Sequence, residues 1–134
     1  HNIVYWTGGD YAGIGPGAHG RVTRGGTVFA TEQIPGPENW LAAVEADHHG
    51  TRRQDQLSSG TRVEELIMMG LRLTAGIGRA GFTARTGMEI EDALEPRRLR
   101  RLIEGDFVIL DEAGLRATPA GRLRLNAVLA ALMG

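Results

Sequence analysis

Cysteine is absent from this chain, which excludes a disulfide framework, a thiolate metal site and iron–sulfur ligation by any of its residues. Lysine is absent too: all 15 basic residues are arginine and, against 16 acidic ones, they leave a formal net charge of -1. Without a basic excess there is no general electrostatic case for binding a nucleic-acid backbone. No apolar run is long enough to span a bilayer, and no segment resembles a signal peptide. What remains is 134 residues, 42% hydrophobic and 23% charged, the composition of an ordinary globular protein able to bury a modest core. The first residues are His1-Asn2 rather than Met, and the expectation is a piece cut from a longer protein.

The most distinctive stretch is Asp10-Tyr-Ala-Gly-Ile-Gly-Pro-Gly-Ala-His-Gly20. Tyr11 to Ile14 reads as the end of a buried strand, and glycines at 13, 15, 17 and 20 strip the Cβ atoms from the turn that follows. Such a turn presents main-chain N–H groups, a seat for a carboxylate, phosphate or ribose. Glycine turns also serve simply to pack two backbones together, and both readings stay open here. The spacing is not a dinucleotide fingerprint, since no helical pattern follows to aim an N-terminus at a pyrophosphate.

In chain order, His1-Asn-Ile-Val-Tyr-Trp6 reads as a strand closed by Thr7 to Asp10. It is either a ligand shelf, with His1 as a metal or haem-iron ligand beside Tyr5 or Trp6, or core with His1 as a polar strand end. Arg21–Arg24 and Thr27–Thr31 flank Gly25-Gly26, a hairpin signal. His19, just before it, is a surface residue or a ligand. Pro37 and Glu38 open a helix with Trp40, Leu41, Val44 and Asp47 on one face. His48 and His49 point to different sides, so they make no metal pair. The polar run from Gly50 to Gly60 reads as a linker.

From Thr61 the pattern changes. Thr61 and Glu64 fit a capping box before a helical stripe of Val63, Leu66, Ile67, Gly70, Leu71 and Thr74, ending at Gly76. Thr86 to Glu89 fits a second capping box, for a short helix through Leu94. Glu95-Pro96 starts another, with Leu99, Leu102 and Ile103 inward and Gly105 at its end. Residues 107–110 and 115–117 flank Asp-Glu-Ala-Gly as a hairpin, and Thr118-Pro119 caps a last helix with Leu125, Val128, Leu129 and Leu132 inward. The predicted class is α+β: residues 1–34 with the glycine loop and hairpin, 35–60 a helix and linker, and 61–134 a winged-helix-like, mostly helical domain.

A winged helix invites a DNA-binding reading, with Arg97, Arg98, Arg100 and Arg101 on its third helix. Acidic residues from Glu89 to Glu112 surround that cluster and the hairpin turn itself is acidic, so a solvated or partner-facing surface is the expectation, without nucleic acid.

His1-Asn-x-x-Tyr-Trp6, Gly9-Asp-Tyr-x-Gly-Ile-Gly-x-Gly-Ala-His-Gly20 and Arg62-Val-Glu-Glu-Leu-Ile-Met-Met-Gly-Leu-Arg-Leu resemble the radical S-adenosylmethionine family of oxygen-independent coproporphyrinogen III oxidases. The first motif resembles its haem-chaperone branch. The resemblance covers nearly the whole chain and is weakest from Gln33 to Gly60. It implies that residues up to about Thr31 are the last strands of a partial (β/α) barrel followed by the family's small C-terminal domain. It also implies a parent with a [4Fe-4S] cluster, S-adenosylmethionine and haem, in the cytoplasm, delivering haem to a membrane-bound acceptor.

Carried over by residue, the resemblance implies His1 as a haem-iron ligand, and Gly13, Gly15, Gly17 and Ala18 beside S-adenosylmethionine. Without cluster-binding cysteines the fragment itself is expected to be inactive and to hold no cofactor. Coproporphyrinogen III oxidase and a winged-helix interaction module are the alternative functions. A barrel cut at this point is also expected to expose an open strand edge before Gly20, through which fragments could self-associate.

Overall fold

The computed structural model describes Val4 and residues 6–134. The chain is a mixed α+β protein that divides into two compact units: Gly9–Ser58, and Ser59–Gly134 together with Val4 and residues 6–8.

In the unit Gly9–Ser58, β1 (His19–Arg24) and β2 (Thr27–Gln33) form the hairpin expected around Gly25-Gly26. Both glycines have positive φ, 57° and 81°, the backbone that a two-residue turn between twisted strands requires. A helix, α1 (Pro37–Asp47), has proline in its first turn and buries no residue fully. Its Trp40 nevertheless packs: Nε1 donates to Gln33 Oε1 at 3.1 Å, and the indole lies so close over Gly50 that a Cβ there would sit 2.3 Å from it. Leu41, expected on the same face, is exposed.

The polar run read as a linker is instead β3 (Thr51–Gln56), antiparallel to β2 in the order β1-β2-β3. Main-chain pairing makes this strand, and its side chains, nearly all exposed, left no alternation to read.

Two further expectations on the first segment are corrected. Tyr11 to Ile14 is not a buried strand: Tyr11 makes one antiparallel bridge to Arg21, and Ile14 is 85% exposed. With glycines at 13 and 15 there is no run of side chains for a sheet face to bury. Val4 and Trp6 take helical rather than extended backbone, while His1 lies outside the described residues. Every strand pair among the described residues is antiparallel. Ahead of Gly20 the chain pairs with β1 on one side. Tyr11 exchanges both main-chain bonds with Arg21, and the Asp10 carboxylate accepts from Thr23 N at 2.8 Å and Thr23 Oγ1 at 2.6 Å.

The other unit runs α2 (Ser59–Gly70), β4 (Ile77–Gly78), α3 (Arg79–Thr86), α4 (Pro96–Glu104), β5 (Val108–Leu110), β6 (Gly114–Ala117), α5 (Pro119–Leu123) and α6 (Leu125–Met133). Its antiparallel sheet has the order β4-β6-β5. Ile67, Leu71, Ile90, Val108 and Leu115 are the most deeply buried side chains. α2 starts at Ser59, so Thr61 lies inside its first turn instead of capping it, and it ends at Gly70 rather than Gly76. Its Val63, Leu66, Ile67 and Gly70 are buried, as is Leu71 just beyond it, whereas Thr74 is exposed; likewise Leu99 and Leu102 of α4 are buried while Ile103, one position round the helix, is 40% exposed.

The second capping box is a correction. Thr86 ends α3 instead of starting a helix: its hydroxyl donates to Phe82 O at 2.8 Å, and Gly87 at φ 72° stops the helix. Residues 87–94 are turns. The last helix is also broken, because Arg124 leaves helical backbone at φ -126°, ψ 32° between α5 and α6.

Candidate functional site

The glycine turn divides into a packed base and an open tip. At its base, a Cβ on Gly13 would lie 2.8 Å from His19 O, and one on Gly20 would lie 2.8 Å from both Gly13 N and Tyr11 O. These two glycines let the arms of the turn lie against each other. At its tip, Gly15 and Gly17 have φ of 99° and 70°, left-handed values that other residues adopt only with strain. A Cβ on Gly15 would meet no atom within 4 Å. The tip is anchored from one side: Gly17 N donates to Ile34 O at 2.9 Å, Ala18 N to Gly15 O at 3.3 Å, and Gln33 N to Ala18 O at 2.8 Å.

Of the residues singled out from the sequence, Gly13, Gly15, Gly17 and Ala18 therefore share one turn, with open space beside the Gly15 Cα. His19 is the exposed first residue of β1, opposite Glu32. His48 ends α1 in left-handed backbone at φ 63°, and His49 Nδ1 accepts from Thr51 N at 3.3 Å, so neither is aimed at a shared centre.

Among the described residues no group of three His, Asp or Glu side chains is placed to hold a metal ion. A [4Fe-4S] cluster does not fit this chain, because the thiolates that would hold it are not among the 134 residues.

The arginine cluster lies where the sequence put it, on the exposed side of α4 with Leu99 and Leu102 beneath. Glu95 caps this helix, accepting from Arg97 N at 3.0 Å and Arg98 N at 2.9 Å, and these main-chain bonds hold its carboxyl below the ordinary value. In the β5–β6 turn, Arg116 pairs with Asp111 at 2.8 Å and lowers that carboxyl, helped by the amides of Ala113 and Gly114.

Sequence reading missed a cavity of about 240 Å³ walled by Trp6, Leu66, Ile77 and Phe82. Its only signal was the density of glycine from 76 to 81, because its described walls come from three separate stretches of chain, 6–7, 66–70 and 76–85.

The HemN C-terminal domain matches residues 57–124, half of the chain. Over 144 residues the chain is 35% identical to the mitochondrial radical S-adenosyl methionine domain-containing protein 1 of Bos taurus, covering 99% of this chain and 31% of the relative. It is 30% identical over 134 residues to the heme chaperone HemW of Bacillus subtilis (strain 168), covering 100% of this chain and 34% of that one. The chain thus spans about a third of the length of these curated relatives. In fold it is similar to the solved coproporphyrinogen III oxidase (HemN) from Escherichia coli, a radical SAM enzyme. The TM-score is 0.62 at 17% identity, over 92% of this chain and 28% of that one. On the match to residues 57–124, the chain belongs to the HemN C-terminal domain family.

Proposed function

We propose that this chain works as the C-terminal part of a radical S-adenosylmethionine haem chaperone, a cytoplasmic protein that binds haem and passes it to haem proteins, reaching a membrane only through its acceptor. The observation that carries the reading is the match over essentially the whole chain to the heme chaperone HemW of Bacillus subtilis, joined to the His1-Asn-x-x-Tyr-Trp6 motif. In the described residues no helix is long and apolar enough to cross a membrane.

In this reading His1 holds the haem iron through a neutral imidazole nitrogen. The main chain of the glycine turn lies against S-adenosylmethionine. Its open tip at Gly15 supports that role, with Gly17 and Ala18 holding the tip in place and Gly13 allowing the turn to close. The cluster needs cysteines from outside these residues, so no step of its chemistry is assigned to them. Residues 61–134 we read as winged-helix-like, from the order α2, β4, α3, α4, β5, β6 and the sheet β4-β6-β5. The arginines of α4 then face a protein partner rather than nucleic acid.

The test is a visible-absorption titration with haem of the full-length protein that carries this chain, wild type against His1→Ala. Loss of the Soret shift and a weaker affinity in the variant are expected; identical spectra and affinity would remove His1 from the proposal. The membership in the HemN family makes coproporphyrinogen III oxidation the second reading. Formation of protoporphyrinogen IX by the reconstituted protein would favour it over the chaperone.

A further inference from the structure

In the unit Gly9–Ser58, a cleft of about 440 Å³ is lined by Arg24 of β1, by Thr51, Arg52, Arg53 and Gln54 of β3, and by His49 just before that strand. Three guanidinium groups line it and no carboxylate does. Arg53 is paired with Asp55, whereas neither Arg24 nor Arg52 has a carboxylate partner among the described residues. Two positive charges are thus brought to one hollow without compensation, an arrangement that repels itself and draws in an anion.

A chain of hydrogen bonds sets the neutral groups beside those charges. An indole N–H can only donate, so the 3.1 Å bond from Trp40 Nε1 fixes Gln33 with Oε1 toward the indole. Gln33 Nε2 is then the donor to Thr51 Oγ1, at 3.1 Å. Having accepted there, the Thr51 hydroxyl keeps its own proton to donate. His49 Nδ1 accepts from Thr51 N at 3.3 Å, which puts the proton of the neutral ring on Nε2. Apart from Gln54, every lining side chain therefore presents a donor.

We infer that this cleft holds the phosphate group of a small phosphomonoester. A dianionic phosphate balances the charges of Arg24 and Arg52, and its terminal oxygens have lone pairs enough for both guanidiniums, the Thr51 hydroxyl and His49 Nε2–H. A carboxylate, with one charge and two oxygens, would leave donors unmet. The volume exceeds that of a phosphate group, which leaves room for an organic body. No aliphatic side chain lines the cleft, and no ring but that of His49, so the head group is what the walls recognise. The same lack of stacking rings disfavours a nucleic-acid strand. This inference does not rest on the haem reading, since it uses neither His1 nor the glycine turn.

The test is calorimetric titration of the full-length protein that carries this chain with glycerol 3-phosphate, beside inorganic phosphate and acetate. Saturable binding of the ester is expected, with comparable binding of inorganic phosphate because the head group carries the recognition. Acetate should bind about tenfold or more weakly, and so should the ester to Arg24→Gln and to Arg52→Gln, each the loss of one charge-assisted contact. Both arginines are exposed, so these variants should keep the wild-type circular dichroism and melting. The inference is overturned if the ester does not saturate, if only inorganic phosphate binds, if acetate binds equally well, or if both variants bind like wild type.

Discussion

Arg79 and Glu91 meet through two parallel hydrogen bonds, Nη1 to Oε2 at 2.8 Å and Nη2 to Oε1 at 2.6 Å. The same guanidinium donates from Nε to Asp111 O at 2.8 Å. One side chain at the start of α3 thereby ties together the turns after that helix and the β5–β6 turn. The fork geometry belongs to arginine; lysine could not make the three contacts.

Acid should weaken this unit in a defined window. The carboxyl of Glu91 is lowered from 4.5 chiefly by its bond to Arg79, that of Glu95 from 4.5 by the amides of Arg97 and Arg98, and that of Asp111 from 3.8 chiefly by Arg116. A carboxyl lowered in the folded state adds stability that is fully present above its ordinary value and is lost as pH falls below it. Melting temperature is therefore expected to fall below pH about 4.5 through these groups, less steeply in Glu91→Gln. An equal slope in the variant would remove Glu91 from the account.

Thr118 is nearly fully buried and works twice: its hydroxyl donates to Asp106 O at 2.6 Å and accepts from Gly121 N at 3.0 Å. Thr118→Ala removes an N-cap and leaves a carbonyl short of a donor, so a loss of about 1–2 kcal/mol is expected in urea unfolding. Thr118→Ser should recover most of it.

Leu115 is fully buried in the middle strand of the β4-β6-β5 sheet. Leu115→Ala should cost about 2–5 kcal/mol, by lost transfer energy and the cavity left behind. Chemical denaturation measures it directly.

Gly114 and Gly87 both have positive φ, 147° and 72°, but differ in surroundings. A Cβ on Gly114 would lie 1.8 Å from Ile77 O, whereas one on Gly87 would meet nothing within 4 Å. Gly87→Ala should cost only the backbone penalty, about 1–2 kcal/mol. Gly114→Ala must in addition push β4 off β6, and amide exchange at Ile77 and Leu115 is expected to lose protection only there.

The sequence by itself determined the elements whose signals are local. The stripe of α2 follows from helical spacing, the β1–β2 and β5–β6 hairpins from glycine at the turn, and the start of α4 from Glu95-Pro96. In each case the deciding interaction joins residues a few positions apart, so composition and spacing carry it. The glycine turn was equally legible as a turn, though not the division between Gly13 and Gly20 packing its base and Gly15 with open space beside its Cα.

Only the tertiary structure decided what depends on distant main chain. The polar β3 is a strand because β2 offers it a ladder, and two-residue β4 exists through its pairing with Leu115 and Gly114. Thr86 ends a helix because positive φ at Gly87 outweighed the capping pattern that its spacing with Glu89 suggested. The cavity of Trp6, Leu66, Ile77 and Phe82 is likewise made by folding. Hydrogen bonds and contacts across tens of residues leave no period in a sequence, and packing alone brings them together.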